Sequence, residues 1–495
     1  MAFIDTSALN VGLPALQDDL QADGTQLLWI INTYLLMLAA LILVSGSLGD
    51  KLGRKKVFMT GISLFVLASL ACGLTPTIEF LLGARIVQGI GGAMMIPGSL
   101  AIITATFDLE QRGRAIGTWA AATTIVTIAG PVLGGCLADI GLWRGIFLIN
   151  LPIGLSALLV LHLKVPESRD EAASPCIDYP GAILATLGLA GLAYGFISLP
   201  DLGLSHPRIY GTLLGGIVAL VFCGIVEVRS PHPMLPLHLF QSRIFSGTNL
   251  LTLFLYGALN VGTFFLCLNL VQAQGYSQSL AGIADMPSAL LLAGLSPWAG
   301  DLADRYGSRL FLIVGPFVAG LGFLLLALVG LTEGAIEYWT TFFPGILVFG
   351  LGMAITVAPL TATVMNSVPT HYAGTASGIN NAVARTAGAL TIAIVGSVAL
   401  IAFAQALAVH TAALNLSDEA QHVLQAGAAQ LGQAIDLPNM AAENVRAIET
   451  AVKLAFVDTF RVVMLICTGL AWVSAMMAVF LVKQPTVTKT SICDQ

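Results

Sequence analysis

The chain alternates between long apolar stretches and short polar connectors that carry Gly or Pro. A helix that crosses a bilayer needs about 20 consecutive, mostly apolar residues. Fourteen apolar stretches, numbered here as spans 1 to 14 in chain order, have the approximate bounds 1–14, 27–49, 57–74, 78–103, 113–138, 146–163, 180–199, 210–227, 245–270, 280–299, 309–331, 341–366, 375–404 and 456–482. The pattern predicts an all-α integral membrane protein with fourteen transmembrane helices.

Span 1 differs from the others in its length. A helix rises about 1.5 Å per residue, so a helix over 1–14 measures only about 20 Å, whereas the hydrocarbon core is about 30 Å thick. We therefore expect the start of the chain to be truncated or misassigned.

Composition and cysteine spacing agree with a membrane protein that holds no metal. Of the 495 residues, 57% are hydrophobic and 10% are charged, whereas about 25% are charged in an ordinary soluble domain. The 7 cysteines stand singly, without the paired spacing of a disulfide framework or a zinc site. We expect the cysteines to be packing residues, and we expect neither a metal nor a cofactor.

The basic residues predict the orientation of the chain in the membrane. If span 1 starts inside the cell, fourteen of the 21 Lys and Arg residues lie in inner connectors or the tail, and four lie in outer connectors. Cytoplasmic connectors carry an excess of Lys and Arg in membrane proteins. The bias predicts a multi-pass protein of the cell membrane with both termini in the cytoplasm.

An internal repeat divides the chain. The sequence GSLGDKLGRK at 46–55, after span 2, recurs as GDLADRYGSR at 300–309, after span 10. Pro97 late in span 4 likewise matches Pro359 late in span 12. The two halves are thus shifted by eight spans rather than six, which predicts two six-helix bundles with spans 7 and 8 inserted between them.

The repeat predicts the domain boundaries. Residues 1–165 form the N-terminal bundle, 166–242 the inserted pair with its linkers, and 243–482 the C-terminal bundle, followed by a cytoplasmic tail at 483–495. Within the C-terminal bundle, 405–455 is an Ala- and Gln-rich outer connector with apolar residues at helical intervals. It is typical of amphipathic helices that lie on the membrane surface, and a periplasmic adaptor is the alternative partner for it.

The loop after span 2 resembles the signature of the major facilitator superfamily and, within it, of the fourteen-helix drug:proton antiporters. The resemblance covers nearly the whole chain and implies the major facilitator fold. In this family the loop acts as an inner gating latch, which here would consist of Gly46, Asp50, Gly53, Arg54, Asp304 and Arg305. The alternative is that the basic loop only fixes topology, which explains its charges but not its glycines.

Spans 1 and 4 carry charges that a bilayer disfavours. Arg85 shares a helical face with Gln88, and an Arg in hydrocarbon usually marks a polar path or a carboxylate partner; the alternative is that Arg85 reaches outward to the headgroups. The run from Asp5 to Pro14 is similar to the family's first-helix motif with its buried acid. Burial disfavours an ionised carboxylate and a nearby cation favours it, so Asp5 and Arg85 are the predicted proton-coupling pair.

Span 5 contains Gly130-Pro131-Val132-Leu133-Gly134-Gly135, which resembles the motif that marks exporters in this superfamily. Proline removes a backbone donor, and glycines allow another backbone to approach closely. Gly117 lies upstream as in the family, but Val126 occupies a position where the family has glycine. The motif implies that the protein is an antiporter.

The remaining polar residues in the spans carry weaker signals. Asp285, near the start of span 10, is expected at the outer interface, and the alternative is that it attracts cations. Family positions in span 13 and polar residues in spans 1 and 4 give candidates for the cavity wall, with packing as the alternative role. These candidates are Asn10, Gln88, Asn380, Asn381 and Arg385.

Energy for transport must come from a gradient. The chain has no GxxxxGK[ST] phosphate loop, and its connectors are too short for a nucleotide-binding domain. Together with the resemblance, this predicts a proton-coupled antiporter that exports small amphipathic or lipophilic compounds by alternating access, of the multidrug efflux and antibiotic resistance type. Its expected partners are the small-molecule substrate, protons and the lipid bilayer, with no nucleic acid, and we expect a monomer.

Two other functions compete with export. A proton-coupled symporter or a uniporter for a small metabolite would share the fold, and only the resemblance of the Gly-Pro motif argues against it. A membrane-embedded enzyme or sensor would need a catalytic motif or an attached soluble domain. Neither HExxH nor GxSxG occurs, so we do not expect an enzyme.

Overall fold

The computed structural model describes residues 1–106, 122–123, 126, 129–168, 178–203, 205–230, 237–368, 373–412 and 442–482, and no β-strand occurs in these ranges. The helices keep the numbers of the predicted spans. They are α1 Ala2–Leu20, α2 Gly24–Leu52, α3 Arg54–Gly73, α4 Ile78–Thr106, α5 129–139, α6 Asn150–Lys164, α7 Tyr179–Ile197, α8 Pro207–Arg229, α9 Arg243–Leu268, α10 Met286–Tyr306, α11 Ser308–Ala327, α12 Phe342–Asn366, α13 Ala373–Thr411 and α14 Ala442–Leu481.

The predicted all-helical, multi-pass architecture is confirmed. Within the described ranges, twelve helices are long and apolar enough to cross a membrane. The two not among them are α1, which carries three aspartates, and α5, of which the continuous described part is 129–139. The observed helices are therefore consistent with fourteen spans.

The predicted end of span 1 was wrong. Helix α1 continues through Pro14 and ends at Leu20, so its 19 residues give a helix of about 28 Å. Leu16 and Gln17, beyond the proline, are fully buried. Packing against neighbouring helices therefore extends α1 past a residue that disfavours helix in isolation.

The outer connector at 405–455 also differs from its prediction. Helix α13 runs on to Thr411 and α14 already begins at Ala442, so both ends of the connector are continuous with the spans. Buried residues such as Ile448 and Ala451 keep the added turns of α14 packed against the protein. The rest of the predicted amphipathic segment, 413–441, lies outside the described residues.

The sequence repeat has a matching backbone repeat. Gly53 joins α2 to α3 with φ +114°, and Gly307 joins α10 to α11 with φ +90°. Their N–H groups donate to Gly49 O at 3.1 Å and to Ala303 O at 2.8 Å. Only glycine adopts this backbone readily, so each half keeps the same tight turn. We call the end of the bundle that carries these turns the basic end, and the opposite end the far end.

The inserted helices pack beside the junction of the two bundles. Helix α7 packs on α8 and also contacts α2 and α13, with the rings of Trp29 and Tyr194 6.1 Å apart. The two bundles meet where α2 contacts α13 and where α1 contacts α9 and a short helix, Gln278–Ala284, that precedes α10. A central cavity lies between these contacts.

Candidate functional site

A fully buried ion pair joins α1 to α4. Asp5 Oδ2 and Arg85 Nη1 are 2.6 Å apart, and the two side chains are 0% and 1% exposed. Arg85 Nε also donates to the carbonyl oxygen of Ile30 at 3.2 Å, and the Tyr34 ring lies 4.4 Å from the guanidinium carbon. The guanidinium thus has a carboxylate, a carbonyl and an aromatic face as partners, which a buried cation requires.

Gln88 completes the network around the pair. Its Nε2 donates to Asp5 Oδ1 at 2.8 Å and to Ser69 Oγ at 2.9 Å, while its Oε1 accepts from Arg85 Nη1 at 2.7 Å. Both oxygens of Asp5 therefore accept a charge-assisted or amide hydrogen bond. The structure brings together the predicted pair Asp5 and Arg85, and it adds Ser69 and Tyr34, which carried no sequence signal.

The network depends on the pairing of the Asp5 and Arg85 charges. Removing one partner of a buried ion pair costs about 3–5 kcal/mol, because the other charge is left uncompensated. A proton on Asp5 has the same electrostatic consequence for Arg85.

The central cavity lies on the other side of α1. It has a volume of about 280 Å³, and α1, α9, α10, α12 and α13 contribute to its wall. On α1 the wall is formed by Phe3, Thr6, Ser7, Asn10 and Val11. Asp5 faces α4 instead, so α1 separates the ion pair from the cavity.

The Gly-Pro segment of α5 packs closely on α1. A Cβ atom at Gly130 would overlap the hydroxyl of Ser7, and a Cβ atom at Gly134 would overlap the backbone of Ala8. Ser7 and Ala8 follow Asp5 within one helical turn. The segment therefore supports the part of α1 that carries the buried acid.

The same segment also contacts the other half of the protein. A Cβ atom at Gly135 would overlap the backbone of Gln278 and Ser279, and one at Gly282 would overlap the carbonyl of Pro131. These contacts lie toward the far end, and no side chain separates the backbone of α5 from the backbone of residues 278–282. We call this contact between α5 and residues 278–282 the far-end seam.

Asp139 closes the seam with hydrogen bonds. Its carboxylate accepts from the backbone N–H of Gln278 at 2.8 Å and of Ser279 at 3.0 Å, and from the Ser279 hydroxyl. These bonds join the last residue of α5 to the first turn of the short helix in the other half. Sequence reasoning did not single out Asp139 or Ser279, since an acid just after a span is common.

Residues 1–393 match the family model of the Major Facilitator Superfamily. The chain belongs to this superfamily. It is 34% identical over 403 residues to the multidrug resistance protein Stp of Mycobacterium tuberculosis, with 80% of this chain and 73% of Stp covered.

Other relatives within the superfamily carry names of antibiotic resistance or export. The chain is 29% identical to the tetracenomycin C resistance and export protein of Streptomyces glaucescens, covering 80% of this chain and 73% of the relative. It is 33% identical to the cephamycin export protein CmcT of Amycolatopsis lactamdurans, covering 80% and 81%. Among solved structures, a bacterial homologue of the lysosomal transporter Spinster has a TM-score of 0.65 at 17% identity, covering 96% and 94%, which shows the shared fold.

The candidates for the cavity wall of this superfamily member have different locations. Asn10 and Arg385 line the cavity, whereas Asn381 is exposed and outside its wall. Gln88 is not on the wall either, because it binds Asp5 behind α1. Asn380 donates to Asn249 and Thr252 of α9 at 3.2 and 2.7 Å, a contact that joins two helices of the C-terminal half.

The expected location of Asp285 at the outer interface was wrong. Asp285 lines the cavity, and its Oδ1 accepts from the Ser288 hydroxyl at 2.9 Å. The short helix Gln278–Ala284 precedes it. Asp285 is the C-cap of this short helix and directly precedes α10.

The predicted latch residues lie at the basic end. Gly46 faces Pro97 of α4, and Gly53 forms the turn described above. Arg305 is exposed in the last turn of α10. The side chains of Asp50 and Asp304 lie outside the described part of the structure, as does Gly117.

The connector after α6 contacts the turn between α2 and α3. Arg54 donates its backbone N–H to Ser168 O at 2.9 Å. The Glu167 carboxylate accepts from the backbone N–H groups of Lys55 and Lys56 at 3.0 and 3.2 Å. Glu167 thus satisfies free N–H groups in the first turn of α3, where a negative charge is favoured.

Proposed function

We propose that this chain is a proton-coupled exporter of small amphipathic or lipophilic compounds that works by alternating access. The observation that carries the proposal is the buried network of Asp5, Arg85 and Gln88, separated from the central cavity only by α1. Intramembrane charges are rare and mark ion or proton pathways. Asp5 is the proton carrier, and Arg85 is its ion-pair partner.

Export is supported by the names of the relatives and by the seam. The relatives named above are resistance or export proteins. In this chain the Gly-Pro segment contacts α1 through Gly130 and Gly134 and the opposite half through Gly135. A change in the protonation of Asp5 that moves α1 is therefore transmitted by α5 to the far-end seam. This links proton binding to closure of the cavity.

The orientation follows from the basic residues. The basic end faces the cytoplasm, so both termini are cytoplasmic and the seam lies on the outer side. The inner latch, which closes when the seam opens, consists of Gly46, Asp50, Gly53, Arg54, Asp304 and Arg305. The halves that move are 1–165 and 243–482, while the inserted pair at 166–242 packs beside them, and the protein works as a monomer.

The direction of coupling separates export from its chief alternative. In an antiporter, an inward proton gradient drives the substrate out of the cell, whereas in a symporter it drives the substrate in. We expect inside-out vesicles with an acidic lumen to accumulate the substrate and to lose the accumulated substrate when a protonophore collapses the gradient. The compounds to use are those to which the protein confers resistance in a susceptibility panel.

Two outcomes of this experiment contradict the proposal. Substrate leaving the lumen along with protons would show symport, and uptake that stops at equal concentrations and is unchanged by the protonophore would show uniport. Vesicles without the protein provide the background.

A further inference from the structure

The wall of the central cavity carries two charged side chains of opposite sign. Asp285 lies at the start of α10 and Arg385 lies in α13, and the other lining residues are apolar or neutral. Both belong to the C-terminal half, opposite the helix that holds Asp5. The proton network and the charges of the cavity are thus separate sets of residues.

Arg385 is a cation with no ion-pair partner among the described residues. Its guanidinium carbon lies 5.5 Å from the centre of the Phe3 ring, while the ion pairs in the described ranges involve other residues. Arginine stays charged in proteins, and the side chain of Arg385 is only partly exposed, on the cavity wall. An anionic group bound in the cavity would supply the counter-charge that it lacks.

Asp285 provides the complementary charge. Its Oδ1 accepts from Ser288, and no basic side chain lies within 4.0 Å of it in the described part of the chain. A carboxylate has acceptor capacity for several donors, so one hydroxyl leaves most of it available. A cationic group in the cavity would pair with this carboxylate.

We propose that the cavity selects amphoteric amphiphiles, which carry one anionic and one cationic group on an apolar body. Arg385 binds the anionic group, Asp285 binds the cationic group, and side chains such as Phe349 and Leu292 contact the apolar part. A substrate with a single charge leaves one of the two side chains desolvated and unpaired, which reduces its affinity. The inference rests on the proposed function, because it names the substrate class of the same cavity.

Three xanthene dyes of similar size test this selection. Rhodamine B carries a carboxylate and a delocalised cation, its ethyl ester keeps only the cation, and fluorescein is only anionic. Binding to the purified full chain in lipid nanodiscs is measured by fluorescence polarisation without any gradient. We expect rhodamine B to bind tightest of the three.

Charge-removing variants should separate the two roles. Arg385→Gln should weaken rhodamine B about tenfold or more, as loss of a buried charge pair does, while the ethyl ester changes by less than about twofold. Arg385→Lys should restore part of the preference. Asp285→Asn should weaken rhodamine B and its ester but not fluorescein, and Arg461→Gln, a matched change outside the cavity wall, should alter none of the three.

The proposal is overturned if Arg385→Gln weakens all three dyes equally, if it weakens none, or if rhodamine B does not bind the wild-type chain. Equal weakening is the result expected if Arg385 and Asp285 only pair with each other. Failure of this proposal can be distinguished from failure of the proposed function. If dye binding is charge-selective but export is not driven by protons, only the proposed export mechanism is contradicted. If export is driven by protons but the three dyes bind equally well, only the proposed charge selection is contradicted.

Discussion

Replacing Asp5 by Asn is expected to abolish efflux driven by a pH gradient while leaving the protein in the membrane. Asparagine has nearly the same shape and can still accept from Gln88, but it cannot bind and release a proton. Arg85 then faces a permanently neutral partner, which corresponds to a fixed protonated state. Gradient-driven efflux should fall to the level of vesicles without the protein, whereas exchange of substrate without a gradient should persist.

A second aspartate in the same helix provides the control. Asp19 pairs with Arg144 at 2.6 Å, but its side chain is 46% exposed. Exposed ion pairs contribute about 0–1 kcal/mol, so Asp19→Asn should keep most of the efflux. Efflux that remains pH-driven in Asp5→Asn, with Asp19→Asn unchanged, would remove Asp5 from the mechanism.

Replacing Gly135 by Leu is expected to hold the far end open. In the present conformation the new side chain would overlap the backbone of Gln278 and Ser279, and neither backbone can move aside without separating the two halves. The overlap lies between the halves rather than inside one of them, so each half should still fold. Export should fall to background, because the cavity no longer closes on the outer side.

Thiol labelling measures this opening directly. In a chain whose seven natural cysteines have been replaced, Thr263→Cys places a thiol on the cavity wall. An impermeant maleimide added from outside should label it several-fold faster with Gly135→Leu than without. Gly224→Leu is the matched control, because no atom lies within 4 Å of a Cβ atom there. Unchanged labelling together with retained export would show that the seam does not gate the cavity.

Much of the fold could be predicted because the bilayer constrains the sequence strongly. A span must be apolar over about 20 residues, so hydropathy located most of the helices, and the repeat around Gly53 and Gly307 predicted the paired turns. The encounter of Asp5 with Arg85 was also predictable, since a charge buried in hydrocarbon must find a partner. Their transport role remains a prediction.

Other features depend on contacts that sequence spacing does not encode. Pro14 suggested the end of α1, but packing of the residues beyond it extends the helix. Asp285 looked like an interface residue because the short helix before it was counted as part of the span. The bonds from Ser279 to Asp139 join residues that are 140 positions apart, and no local pattern predicts such a pair.

Proton release on substrate binding tests the central claim, that Asp5 carries the proton that is exchanged for the substrate. Purified protein in weakly buffered detergent solution is mixed with a compound to which it confers resistance, and the pH is followed with an indicator dye. We predict that the wild-type protein releases protons when the substrate binds and that Asp5→Asn releases none. Proton uptake by the wild-type protein, or equal release from both proteins, would contradict the account.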